Sequence, residues 1–374
     1  MATENNNKNL NVPNLRFPEF SGEWDKFRND SLFNVISEKN KGKLITSVLS
    51  ASQTDGMVSR DSLGIDIKFE EDSIKNYKIV REGDYVIHLR SFQGGFAFSD
   101  RVGVCSPAYT ILRPTEQVSY GFLKPFFMSK KFINSLRLVT YGIRDGKSIS
   151  VEEWLKLNTH LPLLNEQQKM SSFLSLLDER IATQIKIIEK LESLIKGLCQ
   201  KLFRFDECTT YFLGDICSIT TGKLDANAMV ENGKYPFFTC AEEVFNIDNY
   251  AFDTEALLIS GNGANLGYIH YYNGKFNAYQ RTYVLDKFTI DINYIRLYLE
   301  TFLKNRIEQE KNIGNTPYIV LGTLSKMKIK VPNILTQQKI VKTLTSFKNK
   351  LSNERLALKK YEEQKKYLLS NLFI

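Results

Sequence analysis

The chain has 374 residues, 43% hydrophobic and 25% charged, with a formal net charge of +8 at pH 7. That is room for two or three domains with cores of their own, in an ordinary globular composition. No apolar run reaches the roughly 18 residues of a membrane span. Five cysteines without a Cys-x-x-Cys pair argue against a disulfide framework or structural zinc and for a reduced, cytoplasmic setting.

In chain order, the opening MATENNNKNLNVPN is polar and lacks the apolar centre of a signal peptide, so it reads as a disordered lead-in. Asn14-Leu15-Arg16-Phe17-Pro18-Glu19-Phe20 follows, then Trp24. Tyr85-Val86-Ile87 and Tyr109-Thr110-Ile111-Leu112 are β-like runs, and Ser91-Phe92-Gln93-Gly94-Gly95 is a turn after the first of them. Beyond a loop from Gly142 to Gly146, Ser148-Ile149-Ser150-Val151 leads to Pro162, after which about forty residues contain no proline. Leu174, Leu177, Ile181, Ile188, Leu191, Leu198 and Leu202 recur there at threes and fours, which predicts a long helix with a coiled-coil-like seam.

The second half repeats this order. Leu257-Leu258-Ile259, a turn at Ser260-Gly261-Asn262-Gly263 and Thr282-Tyr283-Val284-Leu285 answer the earlier strands and turn. Tyr318-Ile319-Val320-Leu321 answers Ser148-Ile149-Ser150-Val151. Pro332 with Gln337, Gln338 and Lys339 stands at an offset of 170 residues from Pro162 with Gln167, Gln168 and Lys169. The register continues without a gap to Leu202-Phe203 and Leu372-Phe373. The second seam is Leu344, Phe347, Leu351, Leu358, Tyr361, Leu368 and Leu372. Such duplication makes the helices equivalent partners, and a helix of roughly 38 residues spans near 57 Å, more than one core needs. The chain reads as an α+β fold: mixed domain (1–160), helix (161–205), mixed domain (206–330), helix (331–374).

These features resemble the specificity subunit of type I restriction-modification systems. The likeness rests on the Asn14–Phe20 string with Trp24, the two Pro-to-Gln-Gln-Lys helix starts and their Leu-Phe endings, and covers almost the whole chain. The resemblance implies two target recognition domains in pseudo-two-fold tandem repeat, separated by two long antiparallel coiled-coil helices. Each domain would read one half of an interrupted, asymmetric site on double-stranded DNA. It further implies two methyltransferase subunits and two restriction subunits as partners, which would carry the methyl donor, ATP and magnesium; this chain would hold no cofactor and catalyse nothing. The second helix start has Thr336-Gln337 where the family usually has Glu-Gln; the expected effect is on helix N-terminal charge.

Charge adds little. Segments 1–160, 161–205, 206–330 and 331–374 carry +3, +2, −3 and +6, so the excess lies at the C-terminal end. Base reading needs arginine, asparagine or glutamine on loops that can enter the major groove. The candidates are Arg90, Ser91, Gln93, Arg101, Arg144 and Lys147 in the first domain, and Asn262, Asn265, Tyr279, Gln280, Arg281 and Asn315 in the second. Lys39, Lys41, Lys43 and Lys223 are candidates for phosphates.

Three strings imitate enzyme motifs. Gly142-Ile143-Arg144-Asp145-Gly146-Lys147-Ser148 is one residue short of a phosphate-binding loop. Asn315-Thr316-Pro317-Tyr318 resembles the Asn-Pro-Pro-Tyr motif of amino-methyltransferases, without a cofactor-binding glycine motif ahead of it. Gly261-Asn262-Gly263 lacks the strand–helix context of a dinucleotide site. The competing readings are a free-standing DNA methyltransferase or nuclease with its own recognition domain, and a coiled-coil interaction protein without DNA function.

Overall fold

The computed structural model describes residues 11–42, 44–52, 55–60, 71–88, 95–141, 148–310 and 318–374. They divide into two compact units, Met1–Gln184 with Ala357–Ile374, and Ile185–Leu356.

The first unit contains β1 (Asp25–Arg28), α1 (Asn29–Leu32), β2 (Phe33–Ile36), β3 (Leu49–Ser52), β4 (Gly56–Ser59), β5 (Lys78–Val80) and β6 (Tyr85–Ile87). β7 (Phe96–Phe98), β8 (Gly103–Cys105), β9 (Thr110–Pro114), α2 (Leu123–Phe127), α3 (Lys130–Ser135), β10 (Thr140–Tyr141) and β11 (Ser148–Ile149) follow. α4 (Val151–Lys156) and β12 (Asn158–Leu161) lead into the long α5 (Leu164–Leu202). Its main sheet is antiparallel, in the order β2-β9-β6-β7. Successive side chains of a strand face opposite sides. Tyr85 and Ile87 accordingly join an aromatic core with Phe33, Phe96, Phe127 and Trp154, while Val86 joins Leu49, Met57, Ala97 and Ile111 on the other face. Burial on both faces is why this strand has no polar alternation.

The second unit contains β13 (Thr209–Phe212), α6 (Leu213–Ile216), β14 (Ser218–Thr221), β15 (Tyr235–Phe238), β16 (Phe245–Ile247), β17 (Phe252–Ser260), β18 (Ile269–Ala278) and β19 (Thr282–Asp286). α7 (Ile292–Glu310), α8 (Leu321–Ser325), β20 (Lys328–Val331) and the first part of the long α9 (Ile334–Asn371), up to Leu356, complete it. Its six-stranded sheet runs β14-β19-β17-β18-β15-β16. Leu257, Ile259 and Leu285 face α7, with Tyr294, Ile295 and Leu299, whereas Leu258 and Val284 face Phe238, Phe276 and Ala278.

Four strands in each unit therefore share one order, β2-β9-β6-β7 and β14-β19-β17-β18, and the equivalent pairings Tyr85↔Leu112 and Leu257↔Leu285 are antiparallel. A two-stranded ribbon precedes each long helix, β1 with β12 (Asp25↔Leu161) and β13 with β20 (Thr209↔Val331). The tandem repeat extends to topology as well as sequence.

The helix starts repeat down to one hydrogen bond. Gln167 Nε2 donates to the Pro162 carbonyl at 2.9 Å, and Gln337 Nε2 donates to the Pro332 carbonyl at 2.9 Å. Each glutamine is buried at the first turn, where backbone carbonyls just ahead of a helix need donors. The recurrent spacing from Pro to the first Gln of Gln-Gln-Lys is the trace of that bond. The other two positions, Gln168 with Lys169 and Gln338 with Lys339, are exposed.

Within each unit the two long helices run antiparallel. In the first, Leu174 and Leu177 share a core with Leu368, Leu372 and Phe373, Ile181 packs against it, Asp178 pairs with Lys365, and Arg180 donates to the Tyr361 hydroxyl at 2.6 Å. Leu358, also in this unit, is half-buried. In the second, Leu344 is fully buried in a core with Cys199 and Phe203, Leu198 packs against it, and Glu192 pairs with Arg355 at 2.6 Å. Ile188 is buried there, and Phe347 and Leu351 are half-buried. No helix among the described residues is long and apolar enough to cross a membrane.

The Asn14–Phe20 string has a structural use within the first unit. Leu15 N donates to Asn371 O at 3.0 Å, and Phe17 meets Phe173 edge to face with centroids 5.7 Å apart. Lys169 pairs with Glu19, and Trp24 is buried against Phe122 and Phe373. Arg16 holds Glu166 through two hydrogen bonds of 2.7 Å. The expectation for Thr336 therefore needs correcting. Glu166 is a buried partner of Arg16 rather than only a helix-end charge, and the ribbon strand β13 is preceded by the end of α5, so no segment comparable to Asn14–Phe20 stands ahead of it.

Candidate nucleic-acid interface

The second unit assembles most of its candidates around one tight turn. Tyr279, Gln280 and Arg281 join β18 to β19, and Thr282 N closes the turn on Tyr279 O at 2.8 Å. Their backbone is bonded to three other strand ends. Tyr279 N donates to Phe238 O (2.9 Å) at the end of β15, Gln280 N to Leu224 O (2.8 Å) beyond β14, and Arg281 O accepts from Gly261 N (2.8 Å) after β17. Neighbouring chains approach so closely that a Cβ on Gly222 would lie 1.9 Å from Ala278 O, and one on Gly261 2.4 Å from Arg281 O. Glycine is required at both positions because nothing larger fits.

Lys223 is exposed beside this turn, one residue before Leu224. Asn262 is half-buried and forms an antiparallel bridge with Tyr318. Asn265 Nδ2 donates to Cys240 O at 3.3 Å, so it braces the loop rather than presenting its amide. Gln280 is exposed, and its Nε2 donates to Asp225 Oδ1 at 2.7 Å. Arg281 is exposed and forms no ion pair with any described residue, leaving a planar fork of donors. An open cleft of about 300 Å³ lies among Thr221, Gly261, Gln280, Arg281, Tyr283 and Ile319. Burial pushes the Tyr283 phenol above its ordinary pKa, with the positive charge of Arg281 opposing, and its hydroxyl donates to Ile319 O at 2.9 Å. This group can offer hydrogen-bond donors and acceptors to a ligand edge. Among the described residues no cluster of three His, Cys, Asp or Glu side chains could hold a metal.

Sequence reasoning missed Asp225, Cys240, Thr221, Tyr283 and Ile319 as members of this group. Tyr283 and Ile319 lie within the apolar runs Thr282–Leu285 and Tyr318–Leu321, where no local pattern distinguishes a cleft wall from a core position.

In the first unit, Arg90, Ser91, Gln93, Arg144, Lys147 and Lys43 lie outside the described residues, as does Asn315 in the second. Lys39 and Lys41 are exposed beyond the end of β2, the place that Lys223 takes beyond β14. Arg101 follows β7 at the opposite end of the sheet, and its guanidinium is held by Asp100 at 2.7 Å. The structure does not bring it to Lys39 and Lys41. Gly261-Asn262-Gly263 is a loop from β17 to β18, with Gly263 at φ +81° and no helix following.

Compared with known proteins, the chain matches the model of the type I restriction modification DNA specificity domain twice, over residues 21–193 and 206–360. It is 43% identical over 136 residues to the type I restriction enzyme EcoDI specificity subunit of Escherichia coli, covering 36% of this chain and 30% of that protein. It is 32% identical over 164 residues to the putative type I specificity subunit S.MpnORF507P of Mycoplasma pneumoniae, covering 42% of this chain and 44% of that one. Each match thus spans less than half of the relative's length. The crystal structure of a type I restriction-modification system S subunit from M. genitalium superimposes with a TM-score of 0.65 over 97% of this chain and 99% of that one. Its 19% identity makes this a likeness of fold.

Proposed function

Since the chain belongs to the type I restriction modification DNA specificity family, we propose that it is the non-catalytic DNA-reading subunit of a type I complex. The observation that carries this is the repeated unit: one strand order occurring twice, each time leading to a long helix that starts on the same Gln-to-Pro hydrogen bond. Two readers in one chain with different surface residues suit two unlike half-sites, so the DNA target is interrupted and asymmetric.

In this reading residues 1–160 and 206–330 are the target recognition domains, and 161–205 and 331–374 are the spacer helices. Gln280, Arg281, Asn262 and Tyr279 meet base edges, Lys223, Lys39 and Lys41 meet phosphates, and Asn265 supports the loop. Arg90, Ser91, Gln93, Arg144 and Lys147 take the same part in the first domain, and Asn315 in the second. Arg101, committed to Asp100, contributes to the local charge. The partners are double-stranded DNA, two methyltransferase subunits and two restriction subunits, in the cytoplasm. The methyl donor, ATP and magnesium belong to those subunits.

Genome-wide mapping of methylated adenines in cells carrying this chain and its partner subunits tests the proposal. The expected result is a single bipartite motif with an unspecified gap. Continuous motifs, or a map unchanged when the chain is deleted, would refute it.

A further inference from the structure

Gln280 and Asp225 are both exposed and are joined by the 2.7 Å bond from Gln280 Nε2 to Asp225 Oδ1. Their backbones are held together as well, because Gln280 N donates to Leu224 O at 2.8 Å and Leu224 and Tyr279 form a parallel bridge. A carboxylate only accepts hydrogen bonds, so the Gln280 amide has one orientation here: nitrogen toward Asp225, oxygen away from it. One N–H is used by Asp225. What remains for a ligand is one acceptor, Oε1, beside one donor, the second N–H of Nε2.

Resting on the DNA-reading role above, we infer that Asp225 is a positioning residue that makes Gln280 a reader of adenine. In the major groove adenine shows an acceptor at N7 beside a donor at N6, the complement of that remaining pair. Guanine shows two acceptors, N7 and O6, and Gln280 has a single free N–H for them. Cytosine offers only a donor at N4 and thymine only an acceptor at O4, so each meets one of the two atoms. The flipped amide would present two donors and accept guanine; Asp225 forbids it, since a carbonyl oxygen would then face a carboxylate. Selection therefore lies in a residue 55 positions earlier that touches no base itself.

The test selects sites from a duplex DNA pool, randomised at every position, with the full-length chain assembled with its partner subunits. The wild type is compared with Asp225→Asn and with Asp225→Asn combined with Gln280→Glu. The wild type is expected to require adenine at one position of one half-site. Asp225→Asn lets the Gln280 amide turn over, so guanine becomes acceptable there and the preference for adenine over guanine falls by about tenfold or more. In the double variant the new amide donates to the new carboxylate, which leaves acceptors only, and the position shifts to cytosine. If all three proteins select the same base at every position, or if both variants lose affinity evenly at all positions, the inference is overturned while DNA reading stands. A wild type without any sequence preference defeats the proposed function, and the inference with it.

Discussion

Arg16 grips Glu166 with two parallel hydrogen bonds of 2.7 Å, and the carboxylate is only 1% exposed. The pair ties the segment ahead of the first ribbon to the first turn of α5, and Leu15 in the same segment reaches Asn371 near the end of α9. Removing one partner of a buried pair strands a charge, whereas removing both does not. Arg16→Met should therefore lower stability by about 3 kcal/mol, and adding Glu166→Thr, the residue type of the second copy, should recover part of that loss. Urea denaturation of the two single variants and the double variant reads the coupling. Strict additivity would show that the pair is not a unit.

The turn of Tyr279–Arg281 depends on close backbone approach. Gly222→Ala and Gly261→Ala each force atoms apart, at 1.9 and 2.4 Å from carbonyl oxygens, and should each cost about 1–3 kcal/mol. Both should also erode base discrimination in one half-site. Gly322→Ala is the control: its Cβ would meet nothing within 4 Å at the start of α8, so no loss is expected. Thermal melting together with site selection separates these outcomes. Equal behaviour of all three variants would mean that close approach does not hold the turn.

If the helix pair sets the spacing of half-sites, lengthening it should lengthen the gap. A matched heptad inserted between Gln184 and Ile185 in α5 and between Leu356 and Ala357 in α9 falls at the boundary of the units and keeps the seam in register. Seven residues add about 10 Å of helix, equivalent to about three base pairs at roughly 3.4 Å each. Methylation mapping should show the two half-sites unchanged and the gap longer by that amount. An unchanged gap in a complex that still modifies DNA would remove the ruler.

Acid should weaken the first unit. Burial holds His88 below its ordinary value of 6.5, and burial with nearby Lys26 and Lys131 does the same for His160. The unfolded chain then binds protons at a higher pH than the folded one, so stability is full above 6.5 and declines as pH falls through it toward the lowered values. A variant with both His88→Gln and His160→Gln should lose less of its urea midpoint than the wild type between about pH 7.5 and pH 5.5. Parallel curves would show that neither histidine contributes.

The sequence by itself determined the repeat, the two helices and the strands that count most. These are set by local rules: proline just ahead of a helix, apolar residues at threes and fours, and short apolar runs bounded by glycine. The Pro162–Gln167 and Pro332–Gln337 spacings were legible because each bond spans only five residues, so its partners stay near one another in the chain. Gln280 and Arg281 could be named because they stand immediately ahead of the run Thr282–Leu285, and loop residues at strand ends are the natural carriers of contacts.

Tertiary structure alone decided which residues stand beside them. Asp225 reaches Gln280, Cys240 reaches Arg281 and Arg16 reaches Glu166 across 55, 41 and 150 residues. Strand order in a sheet is not sequence order, and no local spacing fixes which strand ends converge. A hydrogen bond senses distance in space, and only the folded sheet turns those separations into contact.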